Sequence, residues 1–293
     1  MSATAGYKIV QLKNGARSVH SIAHAETFHP GIGPMAEAEV LYVRQLRLPE
    51  RVRETSEEFV IWDIGLGAAA NVLTAIKLIS RSLSQTKSIR IISFDQTGEA
   101  LQFALQHADE LNYLAGFKNQ IAELLQKNSV EFQTGKLFVN WKFLYGDFPL
   151  WLKLKNGGRA QTPPHAILFD PHSPQKNPAM WTVSLFTNLF RALDPQRPCA
   201  LANFTRSTSA RTAMLLGGFH VGVGHATGFK EETTVAANTL DLISEPLNSR
   251  WLERALRSDS SEPLREPIYS RAKLSSETIQ KLRAHPQFFT LRA

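Results

Sequence analysis

Four aspartates each close a short apolar run: Asp63 in FVIWDIG, Asp95 in IRIISFDQ, Asp147 in LFVNWKFLYGD and Asp170 in HAILFDP. Runs of this length, rich in β-branched and aromatic residues, read as buried strands. An acid at a strand tip sits at the edge of a sheet, where it can accept hydrogen bonds from hydroxyls, orient an amine or take up a proton. Asp170 is the most constrained of the four. In its stretch, ILFDPHSPQKNPAMW, Pro171, Pro174 and Pro178 follow the carboxylate, so the loop that carries it cannot easily relax. The plainer use of an aspartate at that point is to close a turn.

The stretch DIGLGAAAN, Asp63 to Asn71, joins the first strand to a helix through Gly65 and Gly67. Glycines at such a junction let the backbone turn sharply and approach a ligand with no Cβ in the way. Gly65, Gly67 and Ala70 satisfy the dinucleotide fingerprint G-x-G-x-x-A, and the same residues with Asp63 satisfy the D/E-x-G-x-G of enzymes that use S-adenosylmethionine (SAM). Asp63 stands directly before the loop, where it would repel a pyrophosphate but suit the cationic amino acid moiety of SAM. Asp95 can accept from ribose hydroxyls under either reading. Asp147 stands where SAM methyltransferases place an acid near the adenine amino group. Together these acids favour SAM over NAD, with Asn71 at the loop's end counted among the cofactor-binding residues. The alternative is that the acids are helix N-caps, as Asp147 before FPLWL would be.

These residues need elements to hold them. AAANVLTAIKLISRSL has helical spacing, with Val72, Leu73, Ile76, Ile79 and Leu83 on one stripe. GEALQFALQHADEL, MWTVSLFTNLFRAL and RTAMLLGGF also read as helices, and CALANFT as a further strand. Strands alternating with helices predict a parallel sheet covered on both faces. HVGVGHATGF and KEETTVAAN lie too close together for a helix between them, so they predict an antiparallel hairpin at the sheet edge. Residues 1–58 show little periodicity beyond a helix from Pro34, with Met35, Val40 and Leu41 on its apolar side, and form an N-terminal segment that contributes to the site. Residues 59–240 form the SAM-binding core. Residues 241–293, with nine Lys/Arg against five Asp/Glu from residue 249 onward, form a basic appendage packed on it. Residues 153–165 read as a polar Gly/Pro loop.

The chain's 293 residues, 43% hydrophobic and 20% charged, suffice for a large α/β domain. Its net charge of +7 and pI near 9.6 favour a polyanionic partner such as nucleic acid. No apolar run approaches the roughly 20 residues of a membrane span, and the start lacks a signal-peptide layout. A single cysteine, Cys199, fits a reducing compartment, and the expected location is cytoplasmic. No H-E-x-x-H or C-x-x-C spacing occurs, so no metal is expected. Hydrolase G-x-S-x-G and P-loop motifs are also absent.

DPHSPQKNPAMWTVSLFTNLFRAL resembles the D-x-F-x-P-x-K-N-P-x-M-W signature of the MnmC-like methyltransferases, the methyltransferase domain of the bifunctional tRNA wobble-uridine enzymes and its stand-alone relatives. ETFHPGIGPMAEAEVLYV, DIGLGAAANVL and GGFHVGVGHATGFKEET are similar to three further motifs of that family, in the same order, across residues 26–238. The resemblance implies a Rossmann-like class I SAM-dependent methyltransferase fold: a mostly parallel, doubly wound sheet with an antiparallel edge hairpin. It also implies methyl transfer to the primary amine of 5-aminomethyluridine at the tRNA wobble position, and a separate oxidase that supplies this substrate. No segment resembles the family's oxidase half, so a stand-alone enzyme is expected.

Under this resemblance Asp170 is the catalytic carboxylate, orienting the amine and stabilising charge on its nitrogen. Glu37 is preferred over Glu39 for the SAM amino group; being two apart, they cannot share a helix face. His29, His172, Lys176, Asn177, Lys230 and Glu232 become candidates for substrate binding. For His29 a single backbone hydrogen bond is the plainer role, and Lys176 and Asn177 would either hold a phosphate or order their loop. Trp181 and Phe186 are expected in the core. There are departures. Ala69 replaces the family's third loop glycine, His172 and Ser173 replace Phe and Ala, and Lys230-Glu231-Glu232 replaces Lys-Arg-Glu. The last two fall near the substrate, so a different amine, or a non-catalytic SAM- or RNA-binding module, stands as the alternative.

Overall fold

The structure, a computed structural model, describes residues 6–154, 161–228 and 231–290. Contacts divide the chain into two units. The first comprises residues 1–148, 166–170 and 226–231; the second comprises 149–165, 171–225 and 232–293.

The first unit opens with an antiparallel sheet of β1 (Tyr7–Gln11), β2 (Arg17–Ser21) and β3 (Glu26–Thr27). The sequence pattern missed it, because strands of two to five residues with mixed burial carry almost no periodic signal. Next come α1 (Pro34–Ala38), a π-helical turn (Glu39–Arg44) and α2 (Leu48–Glu54). The wider π turn changes which side faces inward: Glu37, Ala38, Leu41 and Tyr42 are buried, whereas Met35 and Val40 are only half-buried. Such π segments recur at functional sites.

The main strands and helices of this unit follow: β4 (Phe59–Ile64), α3 (Ala70–Ser82), β5 (Lys87–Asp95), α4 (Glu99–Gln106), α5 (Ala108–Leu111), α6 (Lys118–Lys127), β6 (Ser129–Thr134), β7 (Leu137–Tyr145) and β8 (Ala166–Phe169), with α7 (Phe148–Leu154) starting after β7. Strand order is β8-β4-β5-β7-β6, the first four parallel and β6 antiparallel to β7. All six residues of β4 are buried, as expected for a parallel strand covered on both faces. Helix α3 buries Val72, Leu73, Ile76 and Ile79; Leu83 lies just past its end, in extended conformation. The predicted helix GEALQFALQHADEL breaks at His107 into α4 and α5. The β6–β7 hairpin, unforeseen, turns through Gly135 at φ 55° and Lys136.

In the second unit, α8 (Val183–Ala192) and α9 (Thr208–Leu216) accompany an antiparallel sheet of β9 (Ala200–Asn203), β10 (His220–Gly224) and β11 (Thr233–Ala237), in order β10-β11-β9. The predicted hairpin is β10–β11. Trp181 and Phe186 are buried as expected. Helices α10 (Ser249–Arg257), α11 (Ser276–Arg283) and α12 (Pro286–Thr290) complete the unit. The buried Gln287 side chain fixes this C-terminal stretch, accepting from the Val221 N–H at 2.8 Å and donating to the Val221 and Leu247 carbonyls at 2.8 Å each. Residues 155–160 of the predicted loop lie outside the described residues.

Candidate functional site

Asp170 follows β8, and its N–H donates to the Ile64 carbonyl at 2.8 Å, extending the β4–β8 ladder by one rung. That bond anchors the backbone of the carboxylate at a strand tip. The side chain is 19% exposed, and three residues converge on it. Asn71, in the first turn of α3 and itself buried, donates from Nδ2 to Asp170 Oδ2 at 2.7 Å. His29 Nε2 lies 3.8 Å from the same oxygen. The Tyr42 hydroxyl, fully buried, shares its one proton between Asp170 and the Phe169 carbonyl, the latter at 3.4 Å. Burial, then the negative charge of Asp170, push the Tyr42 phenol well above its ordinary pKa, so it remains a proton donor.

His29 has φ 49°, a left-handed conformation that is costly for a side chain of its size. The expectation of a single backbone hydrogen bond for it gives way to an imidazole directed at Asp170. Tyr42 was not singled out in the sequence. The π turn sets it five residues from Glu37, and the two groups interact electrostatically. Glu37 is 6% exposed, whereas Glu39 is paired outward with Arg44.

The glycine loop is built as its composition requires. Gly65 and Gly67 have φ of 92° and 51°, and a Cβ on Gly67 would meet the Phe28 ring at 3.2 Å. The Gly67 N–H donates to Asp95 Oδ2 at 2.9 Å, and the Gln96 N–H to Asp95 Oδ1 at 2.7 Å. Asp95 therefore splints the loop, whatever else it binds. Ala69 also lies in the left-handed region, at φ 61° and ψ 17°, so the family's missing glycine costs backbone strain of about 1 kcal/mol. Asp147 is exposed just past β7, where the Gly146 N–H donates to the Asp95 carbonyl at 2.9 Å.

Asp63 is expected as a carboxylate facing the cationic amino acid moiety of SAM. It is fully buried in β4, and its Oδ2 accepts from the Ser93 hydroxyl at 2.7 Å. Ser93 in turn accepts from the Trp141 indole N–H at 2.9 Å. Burial is the main cause that pushes its pKa up to about 8; Ser93 pulls it back, while the charges of Asp170 and Asp95 add to the rise. At neutral pH the carboxyl is mostly protonated. Its Oδ1 is buried without a hydrogen-bond partner, as is Asn71 Oδ1. Two orphaned oxygens beside a glycine loop suit a ligand that carries a cationic donor.

His172, Lys176, Asn177 and Glu232 belong to the second unit. The His172 carbonyl accepts from the Trp181 indole at 2.9 Å. Lys176 and Asn177 donate their backbone N–H groups to the Ser173 carbonyl in a tight turn, which orders the loop. Glu232 accepts from the buried Arg211 guanidinium at 3.0 Å. Lys230 lies outside the described residues. Among the described residues no group of three or more His, Cys, Asp or Glu is placed to hold a metal, and no helix is long and apolar enough to cross a membrane.

A protein-family model described as S-adenosyl-L-methionine-dependent methyltransferase matches residues 114–239. The tRNA 5-methylaminomethyl-2-thiouridine biosynthesis bifunctional protein MnmC of Pseudoalteromonas atlantica is 24% identical over 77% of this chain and 33% of that protein. Its counterpart from Aeromonas hydrophila is 28% identical over 68% of the chain and 30% of that protein. The crystal structure of MnmC2 from Aquifex aeolicus superposes with a TM-score of 0.69, covering 97% of this chain and 85% of that one at 24% identity. The chain is similar to the MnmC-like methyltransferases in sequence and in fold. It has the fold of class I SAM-dependent methyltransferases, and SAM is the methyl donor named by the matching family model. It spans about a third of the length of the curated MnmC proteins it matches.

Proposed function

We propose that this MnmC-like methyltransferase methylates the primary amine of 5-aminomethyluridine at the wobble position of tRNA. One observation carries the reading: a strand-tip carboxylate, Asp170, held by Asn71 and Tyr42 and flanked by His29. The MnmC relatives are named for the biosynthesis of tRNA 5-methylaminomethyl-2-thiouridine, and the net charge of +7 suits a polyanion.

Bound SAM supplies an electrophilic methyl group on a sulfonium. The chain's own residues have to deliver an amine lone pair to it. An alkylamine is mostly protonated at neutral pH, and an ammonium has no lone pair to give. Asp170 accepts a hydrogen bond from the neutral amine and orients its lone pair, and its negative charge offsets the positive charge that appears on nitrogen as the bond to the methyl group forms and the bond to sulfur breaks. Asn71 and Tyr42 keep the carboxylate in one rotamer, which supplies the positioning. Asp63 and Glu37 hold the cofactor's amino acid end. A cation there gives Asp63 Oδ1 the partner it lacks and favours loss of the Asp63 proton. Asp95 and Asp147 hold the nucleoside end.

The test is to incubate the protein with methyl-labelled SAM and tRNA from cells lacking the modification, then digest and analyse the nucleosides. Label in 5-methylaminomethyl uridine is the expected result. Absence of label from tRNA, with the protein folded and binding SAM, rejects the substrate.

A further inference from the structure

Helix α10, SRWLERALR, has two unlike faces. Trp251, Leu252 and Ala255 are buried, and Trp251 stacks on Phe288 of α12 with ring planes 3° apart. On the other side stand Arg250, Arg254 and Arg257, all exposed. At about 100° per residue, positions i, i+4 and i+7 fall within about 60° of arc, and they span about 10 Å of the axis. None of the three forms an ion pair among the described residues, although Glu253 sits three residues after Arg250 and four before Arg257.

Three other bases of the same stretch are neutralised. Arg265 pairs with Glu262 and Glu277, Lys273 with Asp259, and Lys281 with Glu277. The α10 arginines differ, and they have company. Arg206, exposed in the loop before α9, and Arg254 both lie near enough to Arg211 for their charges to depress its pKa, after burial and against the pull of Glu232. Arg211 is answered by Glu232; among the described residues Arg206 and the α10 row are not.

We infer that the exposed face of α10, with Arg206, is a surface that tracks the phosphate backbone of RNA. The inference rests on the tRNA reading above and adds to it where the RNA lies. Guanidinium groups are matched to phosphate oxygens, and a row of them one helical turn apart suits successive phosphates. A membrane fits less well. A helix that binds a bilayer presents an apolar face to it, and here that face is already covered by Phe288 and its neighbours.

The experiment uses the full chain with Arg250, Arg254 and Arg257 replaced together by alanine. Equilibrium binding to tRNA is measured from 50 to 200 mM salt, alongside SAM affinity and thermal stability. Each phosphate contact contributes roughly 0.7 to 0.9 to the log–log salt slope, so the variant's slope should be shallower by about 2 to 3. Affinity at 50 mM salt should fall roughly tenfold or more, with SAM affinity unchanged. A triple lysine variant should regain most of the slope. Should the triple alanine chain lose stability, the single variants Arg250→Ala and Arg254→Ala carry the test, each lowering the slope by about 1. A steep wild-type slope that the variants share overturns the surface and leaves the tRNA reading standing. A wild-type chain with no salt-dependent affinity for tRNA overturns both. Loss of binding to vesicles containing anionic lipid, with tRNA binding unaffected, assigns the face to a membrane and also overturns the inference.

Discussion

Replacing Asn71 by alanine removes one hydrogen bond and separates two roles that the glycine loop could give this residue. The bond, Asn71 Nδ2 to Asp170 Oδ2 at 2.7 Å, has a charged acceptor. Bonds of that kind contribute about 1.5 to 3 kcal/mol. If the bond orients Asp170 for the amine, its loss appears in the transition state. At about 1.4 kcal/mol per decade that is a drop of roughly 10- to 150-fold in the rate of methyl transfer. The stability cost is smaller, because Asn71 Oδ1 is buried without a partner and its removal relieves a desolvated acceptor. The assay is single-turnover methyl transfer at saturating SAM and tRNA, paired with calorimetric SAM affinity and a thermal melt. Positioning predicts a slower transfer with SAM affinity within about threefold of wild type. A variant that binds SAM 10-fold or more weakly, yet transfers at the wild-type rate once saturated, refutes the reasoning and returns Asn71 to the cofactor.

Three further outcomes follow from the same geometry. Asp170→Asn should leave SAM affinity nearly unchanged and slow transfer by roughly 100-fold or more, with partial recovery as pH rises from 6 to 9 and more amine becomes neutral; near-normal turnover at pH 7 would make Asp170 a turn residue. Asp63→Asn addresses linkage: the folded carboxyl titrates near 8 against an ordinary 3.8, so the native state holds the extra proton. Wild-type stability from this group is then lost as pH rises from about 4 to 8. The Asn variant should gain on wild type between pH 5 and pH 8 in parallel urea melts, and a gap that narrows toward pH 8 contradicts the protonated assignment. Ala69→Gly relieves the left-handed alanine at φ 61° and should raise stability by up to about 1 kcal/mol, read as an increased midpoint of urea unfolding. A lowered midpoint would mean that the methyl group's packing outweighs the strain.

The parallel strands were legible because burial on both faces demands an unbroken apolar run, and FVIWDI and AILF carry one. The acids that end these runs marked the strand tips, and Gly65 and Gly67 marked the turn after β4, since few other residues adopt φ near 92° or 51°. The antiparallel β10–β11 pair was readable from its spacing. β6 was not, although SVEFQT alternates and TGK supplies a hairpin glycine; six residues of which only Val130 is buried are too weak a signal beside the helix before them.

The sequence by itself determined the parallel strands, the glycine loop and the carboxylate at the head of the proline-stiffened loop, because each depends on local residue types and spacing. Only the tertiary structure decided what surrounds that carboxylate. Asn71 and Asp170 stand 99 positions apart and meet because β4 and β8 are neighbours in one ladder. Tyr42 turns inward through a π turn that no pattern announced, and His29 reaches Asp170 by a strained backbone. Asp63 holds its proton because β4 is enclosed on every side, and burial is a property of the packed chain, absent from any single stretch of it.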